Sequence, residues 1–555
     1  MSDKSVTGIE CRFALLSPVK SNNGDEIHII KEQISYSDGT KEPNLRIIRN
    51  FKRPFWVTNQ KYRNHKDKKE WEGISKLEKY ECLQSELAEK AVRALGSGNT
   101  NLPLKQVANS PYLYGTDIKS TATIKQMYKD KYPNTQTFYS VCSLDIESSM
   151  VDNDIILITI CQNNNVFTSI YAPFIDGIQN FDEILSSKIK LYLSDFIDLN
   201  EYKFEHYITK NQVEVITSIF DKLHEWKPDF LSIWNMDYDI NEISRVLEKY
   251  GVDPKDVFSD PSVPYENRYY IYKQGKKQKI TSSGKYSPIS PANQWHSLFT
   301  PSSFYVIDAM CTYRKNRLSK PEEQSYSLDS ILNKELGLRK LKFEEAKDFS
   351  GGEWHEFMQS EYPVEYIVYN IFDSISMMEL EKKTKDLAVS LPLFCGISDF
   401  SDYESQPKRL SDRFHFLCLE NNLVVGSTGR NMKTDFDDET LPLKGWIVNL
   451  PAHLITNDGL CNILEDDKLK TNIRIHTHDL DIRGAYPTAQ IISNVSKETT
   501  KTELVQISGI DSYVSRMENI NLFSGHVNAL EYCQTMFNFP QLNEMLNEFV
   551  KYKLK

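Results

Sequence analysis

The sequence has no CxxC pair. Its nine cysteines, at 11, 82, 142, 161, 311, 395, 418, 461 and 533, fit neither a disulfide framework nor a zinc site. Reduced, structural cysteines are expected. His476 and His478 alternate on an expected strand with no cysteine or further histidine nearby, so packing rather than metal ligation is expected there. No apolar run approaches the roughly 18 to 20 residues of a membrane helix. The opening Met1-Ser2-Asp3-Lys4 lacks the apolar core of a signal peptide, which predicts a chain that stays in a cytoplasm. Internal repeats and low-complexity stretches are missing too. So is any basic excess: 66 Lys and Arg face 77 Asp and Glu, for a net charge of −11. That balance excludes a simple nucleic-acid coat protein. It does not exclude an enzyme of nucleic acids, which needs only a local basic groove and whose metal sites bring carboxylates of their own.

What is present is a chain of 555 residues, 40% hydrophobic and 26% charged, enough for several cores. Length alone suggests about three or four domains. Up to about residue 130, strand-like runs (27–30, 45–48 and 55–58) precede an expected helix over 77–95, which Gly96-Ser97-Gly98 would end. From Phe138 the pattern changes. Strands are expected at 138–145, 155–161, 230–234 and 304–307. Helices are expected at 215–226, 240–250 (closed by Gly251) and 364–387. Strands alternating with helices predict an α/β layer architecture. A helical connection over 407–421 leads to a region with strands at 446–449 and 473–481 and a helix opening at Pro487.

Three short motifs carry the chemistry. In Ser143-Leu144-Asp145-Ile146-Glu147 the two acids are two apart, so a strand projects both from one face. Alone, that is as well read as a solvated face. In Trp234-Asn235-Met236-Asp237-Tyr238-Asp239 an apolar strand runs into a helix, and Asp239 also reads as a helix cap. In Tyr369-Asn370-Ile371-Phe372-Asp373 the tyrosine and the aspartate are four apart and share a helix face. Between the second and third motifs, Arg268-Tyr269-Tyr270-Ile271-Tyr272-Lys273 is followed by Lys276, Lys277, Lys279 and Lys285, with turns at Gly275 and Gly284. Basic residues interleaved with aromatics suit phosphates and stacked bases; a solvated hairpin is the equal alternative. Near the C-terminal end lies His478-Asp479-Leu480-Asp481-Ile482-Arg483-Gly484-Ala485-Tyr486-Pro487-Thr488.

Taken in order, these motifs resemble the three exonuclease motifs and the first polymerase motif of family B DNA polymerases of the T-even-like bacteriophage type. Arg53-Pro54-Phe55, 110–115 and Ser325-Tyr326-Ser327-Leu328-Asp329 support the likeness. The resemblance implies an α/β and α+β multidomain chain. It would hold an N-terminal mixed domain (1–130), an RNase H-like 3′→5′ exonuclease domain (131–390), a helical connection returning to the first domain (391–440) and an incomplete polymerase palm (441–555). It makes Asp145, Glu147, Asp239 and Asp373 ligands of two Mg²⁺, with Mn²⁺ as a substitute, since hard cations choose carboxylate oxygens. It gives Tyr369 the attacking water and puts Asn235 near the primer end, with Lys273, Lys276, Lys277 and Lys279 on the DNA. The spacing to the tyrosine selects Asp481, not Asp479, as the polymerase metal ligand. Gly484 and Ala485 would hold the triphosphate and Tyr486 would exclude a 2′-hydroxyl.

The sequence departs from the family pattern where Gly484-Ala485 replaces Ser-Leu and Thr488 replaces Ser. The later Lys-x(3)-Asn-Ser-x-Tyr-Gly and Asp-Thr-Asp-Ser motifs do not occur before Lys555. The implied partners are a primer–template, deoxynucleoside triphosphates, a second polypeptide with the rest of the palm and thumb, and a sliding clamp, in a bacterial host's cytoplasm without membrane association. The alternatives are a stand-alone exonuclease, a non-catalytic DNA-binding scaffold and an interrupted reading frame.

Overall fold

The computed structural model describes residues 4–429, except 99, 282 and 283, and a few short stretches beyond them. The chain divides into two compact units, 1–430 and 431–555. In the second unit the described pieces include two antiparallel pairs, Ile463–Asp466 with Thr471–Arg474 and Asn519–Leu522 with Gly525–Asn528. Thr488, Ile491 and Ile492 are helical. Asp481, Gly484, Ala485 and Tyr486 lie outside the described residues, as do the strand expected at 446–449 and most of that expected at 473–481.

The first unit is organised by a six-stranded sheet. At its centre the strand Val141–Ser148 pairs antiparallel with Ile155–Gln162 on one side and parallel with Phe230–Ile233 on the other. Beyond Ile155–Gln162 come Asn165–Tyr171, antiparallel, and Lys203–Thr209, parallel to that; beyond Phe230–Ile233 comes Tyr305–Asp308, parallel. The pleat sends alternate side chains into two cores. Cys142, Leu144 and Ile146 join Ile219, Ile243 and Phe304 on one face, beneath the helices Gln212–Trp226 and Met236–Lys249. Val141 faces the other way, into a core with Ile367, Phe372 and Ile375 of the long helix Pro363–Thr384. Ser143 lets that helix approach closely. Its hydroxyl donates to the Ser374 carbonyl at 2.8 Å, and Ser374 Oγ donates to the Thr159 carbonyl at 3.0 Å.

The N-terminal strands form two smaller sheets, Val6–Leu16/Ile27–Tyr36/Lys41–Arg49 and Leu77–Cys82/Arg53–Thr58/Leu113–Tyr114. The helix expected over 77–95 is corrected here. Only Leu87–Leu95 is α-helical, after a 3-10 turn at Gln84–Glu86, and Leu77–Cys82 is a strand paired with Arg53–Thr58. Apolar residues at 77, 80, 83 and 87 mimic helical spacing, but stacking of Tyr80 on Phe55, with ring centroids 5.4 Å apart, belongs to the strand pairing, and tertiary pairing overrides local periodicity. After the helix Gln406–Glu420 the chain returns to this region: Leu423–Val425 pairs antiparallel with Trp71–Gly73. Among the described residues, no helix is long and apolar enough to cross a membrane.

A buried arginine joins the first strand to the large sheet. Arg12 is 1% exposed and pairs with Asp229 at 3.4 Å and Glu10 at 3.1 Å. It donates to the carbonyls of Thr137 and Phe138, each at 3.0 Å, and lies 4.2 Å from the Tyr139 ring centre. Asp229 in turn accepts from the Ser140 backbone N–H at 2.8 Å. Removing one member of such a pair leaves the other charge buried. Arg12→Ala is expected to destabilise the first unit by about 3–5 kcal/mol in urea unfolding; a loss below about 1 kcal/mol would mean that the joint is solvated in solution.

Candidate active site

The acids singled out in the sequence come from three elements of the large sheet's layers. Asp145 and Glu147 both lie within Val141–Ser148, which runs three residues further than expected and starts later. They alternate with buried Leu144 and Ile146 and therefore face the long helix. Asp373 lies on that helix and Asp239 on Met236–Lys249. Asp239 is not a cap. The helix begins at Met236, so Asp239 sits inside its first turn. The Met236 N–H is served instead by Asp308 Oδ2 at 3.2 Å, while Asp308 Oδ1 accepts from the Cys311 N–H at 2.7 Å.

Three of the four carboxylates are each held by a different donor. Asp145 Oδ2 accepts from the Asn370 side-chain amide at 2.6 Å, and Glu147 Oε2 accepts from the Tyr366 hydroxyl at 2.5 Å. Asp373 Oδ2 pairs with the Lys340 ammonium, which also donates to the Tyr369 hydroxyl at 2.9 Å. Residues 366, 369, 370 and 373 follow the helical three-and-four spacing and form one functional face. A second layer steadies them. Gln359 bridges the Ser148 carbonyl (2.9 Å) and the Tyr366 hydroxyl (3.2 Å); His355 Nδ1 is 2.7 Å from that hydroxyl; Trp354 lies against Tyr369, with centroids 5.0 Å apart. The loop carrying Lys340 is fixed by Asp329, which accepts the Lys340 backbone N–H at 2.9 Å and pairs with Arg339 at 2.7 Å.

Electrostatically the acids form one site. Burial pushes the Asp145 carboxyl far up from its ordinary range, and Asp373, Glu147 and Asp239 add to the effect. Burial lifts Glu147 to about 7 despite the Tyr366 hydrogen bond, and lifts Asp239 well up, reinforced by Glu147 and Asp308. Burial also raises Asp373, against the opposing pull of Lys340. Burial works against the Lys340 ammonium, yet Asp373, Tyr369 and Asp145 outweigh it and hold its pKa above the ordinary value. Asp373 Oδ1 is buried without a hydrogen-bond partner. Acids that are buried (Asp239, Asp373) or half-buried (Asp145, Glu147) and repel one another, one oxygen of them unpaired, are a donor set that suits a hard divalent cation. Among the described residues the four acids do not close to mutual contacts of 4.8 Å. Unneutralised carboxylates hold apart, and Asn370, Tyr366 and Lys340 each draw one toward itself.

The set that does close to that spacing is His296, Asp308 and Cys311. There both Asp308 oxygens already serve helix N–H groups, and Cys311 Sγ donates to the Pro291 carbonyl at 3.3 Å, so the grouping is accounted for by capping.

Asn235 flanks the helix start without making a side-chain cap bond. The basic segment forms two short pairings, Ile271–Lys273 with Ser297–Phe299 and Gln278–Ile280 with Tyr286–Pro288. Lys273, Lys276, Lys277 and Lys279 are all exposed, and Lys277 is paired with Asp237 at 3.0 Å. Sequence reasoning missed Lys340, Tyr366 and Asn370. The last two carried a signal, since they sit on the same helix face as Asp373. Lys340 did not, because its role depends on a contact 33 residues away. No family model matches the chain, and no curated protein matches its sequence.

These shifts set a pH dependence. Folded, the carboxyls keep their protons to higher pH than in the unfolded chain. The native state therefore binds more protons between the ordinary carboxylate range and about 7, the value of Glu147. Stability without divalent cation is greatest on the acid side and is lost as pH rises through that window. In EDTA the thermal midpoint is expected to fall from about pH 5 to about pH 8, more steeply than in Glu147→Gln, and Mg²⁺ is expected to stabilise increasingly across the same range. A midpoint insensitive to Mg²⁺ at about pH 8 contradicts this assignment.

Proposed function

We propose that the first unit is a 3′→5′ DNA exonuclease, the proofreading part of a family B-type DNA polymerase whose polymerase site begins at Asp481. The observation that carries the reading is that Asp145, Glu147 and Asp373 line the contact between one strand and one helix, each held by a donor there, with Tyr369 and Lys340 beside Asp373 and with Asp239 near enough to raise the Asp145 carboxyl. The sheet supports it: a central strand bearing two acids, with one antiparallel and one parallel neighbour, suits an RNase H-like domain.

The four acids would hold two Mg²⁺, which when bound supply an activated water and stabilise the leaving oxygen of the phosphodiester. The protein's own groups do the rest. Tyr366 and Asn370 fix the orientations of Glu147 and Asp145. Tyr369, its hydroxyl set by Lys340, orients the attacking water. Lys340 offsets part of the negative charge that a phosphate brings to an acidic site. Asn235, at the helix start next to Asp239, lies toward the primer end, and Lys273, Lys276 and Lys279 offer exposed charge to the strand. The projecting hairpin separates primer from template; if deletion of 274–285 leaves transfer of the primer end unchanged, it has no such role.

For the polymerase half, the reading rests on the motif around Asp481, Gly484, Ala485 and Tyr486. It calls for deoxynucleoside triphosphates, a second polypeptide with the remaining palm and thumb, and a sliding clamp. A stand-alone exonuclease is the alternative if the chain works without that second polypeptide.

The test is a 5′-labelled primer–template with Mg²⁺, with and without all four nucleotides. Shortening that nucleotides do not reverse is expected, with Asp145→Ala and Asp373→Ala slowing it by at least about 10³-fold. Extension by the chain alone would overturn the half-site reading. A primer that neither shrinks nor grows, unchanged by Asp145→Ala, would leave a DNA-binding scaffold.

Lys340→Met separates two roles for that residue. If Lys340 contributes charge to the reaction, kcat falls about 10²-fold while the binding of Mg²⁺, now without a competing ammonium, tightens. Equal weakening of both would make it a structural residue only.

A further inference from the structure

Between the helix Met236–Lys249 and the strand Tyr305–Asp308 the chain leaves the sheet, and it is fastened back to that helix at two points: the Tyr270 hydroxyl lies 2.7 Å from Ser244 Oγ, and a larger set of groups converges on Asp237. Asp237, in the first helical turn, accepts at Oδ1 from the Tyr272 hydroxyl (2.9 Å), the Gln274 amide (2.9 Å) and the Asn241 amide (3.1 Å). Its Oδ2 pairs with Lys277 Nζ at 3.0 Å, and its side chain is only 20% exposed. The returning arm joins in: His296 Nδ1 is 3.7 Å from Asp237 Oδ1, lies 3.2 Å from the Tyr272 hydroxyl and accepts the Gly275 N–H at 3.3 Å. The arms are pressed together at Gly275, where a Cβ would stand 2.6 Å from the Trp295 backbone nitrogen. Outward of this anchor, Gln278–Ile280 and Tyr286–Pro288 project, with Ile280 67% and Tyr286 73% exposed.

A solvated hairpin needs no such anchor. Three side chains of the outgoing arm and one of the returning arm converge on a single carboxylate. That carboxylate sits two residues from Asp239 and two from Asn235, so whatever moves the projecting segment loads the turn that places both.

We propose that Asp237 is a positioning residue that ties the projecting basic segment to the first turn of the helix carrying Asp239, so that strand contacts made outside the site act on the carboxylate site itself. The proposal rests on the nuclease reading above. Lys277 gives it a mechanism. A phosphate that engages the ammonium shares it with Asp237, so a strand running along the segment changes the load on the helix start. A single strand that enters the site without touching the segment does not.

The test uses the full chain, as wild type, Asp237→Ala and Asp237→Asn, in two measurements. Hydrogen exchange reads the tie directly and needs no activity. In Asp237→Ala, amides at 271–277 are expected to exchange about tenfold faster, while those of Val141–Ser148 stay unchanged. Asp237→Asn retains an acceptor for Tyr272 and Gln274 and is expected to restore most of the protection. Cleavage kinetics then read the transmission. In Asp237→Ala, kcat on a primer–template with a mismatched end is expected to fall about tenfold more than kcat on a single-stranded oligonucleotide, with KM on the single strand unchanged, and Asp237→Asn, lacking the charge opposite Lys277, is expected to fall between.

Unchanged exchange at 271–277 overturns the tie, whatever cleavage does. Faster exchange with equal losses on both substrates, or with none, overturns the transmission. A wild type that cleaves neither substrate overturns the nuclease reading and leaves the exchange result to decide the tie alone.

Discussion

Like charges confined together out of water are the constraint on which the rest of this structure depends. Asp145, Glu147, Asp239 and Asp373, two buried and two half-buried, are brought near enough to raise one another's carboxyls by a strand and two helices that pack on opposite faces of the sheet. Burial costs each of them its hydration, and each raises the cost for its neighbours. A cation shared among them would relieve that cost. Lys340 neutralises one acid and leaves the others to hold protons that ordinary carboxyls would have lost. The close approach of the long helix, through Ser143 and Ser374, and the tyrosines and amide along its inner face exist to hold this set in place.

Much of the site was legible because its geometry is local. Two acids two apart on a strand, and a tyrosine four before an aspartate on a helix, fix faces without reference to the rest of the chain. The α/β layering of the first unit was likewise written in alternating apolar runs, and the four strands and three helices expected over 138–387 are found within a few residues at their ends, but the sheet strands Asn165–Tyr171 and Lys203–Thr209 and the helices Phe181–Leu193, Ala309–Asn316, Leu328–Leu336 and Gly352–Glu361 were not anticipated. What was not legible depends on contacts distant in sequence. Lys340 reaches its partners from a loop with no motif of its own. Asp308, not Asp239, caps the helix at Met236, because the sheet brings a strand end 72 residues away beside it. Leu77–Cys82 reads as the start of a helix until Arg53–Thr58 is laid next to it.

The same distinction explains the basic segment. Its lysines and aromatics suggested a surface for a strand of nucleic acid, and Lys273, Lys276, Lys277, Lys279 and Lys285 are all exposed. Nothing local shows that Lys277, Tyr272 and Gln274 would converge on one aspartate. That set makes the segment part of the site's mechanical surroundings rather than an appendage. Arg12 plays a comparable part at the other end of the central strands, where a buried ion pair fixes the first N-terminal strand against the sheet.

The central claim is that the four acids form a binding site for divalent cations. Titration of Mn²⁺ into the metal-free chain, followed by loss of the free-ion paramagnetic resonance signal near neutral pH, tests it most directly. Saturable binding, competed by Mg²⁺ and reduced in Asp145→Ala and Asp373→Ala, is the result this account predicts. Binding that is absent, or unaltered when both acids are removed, would contradict it.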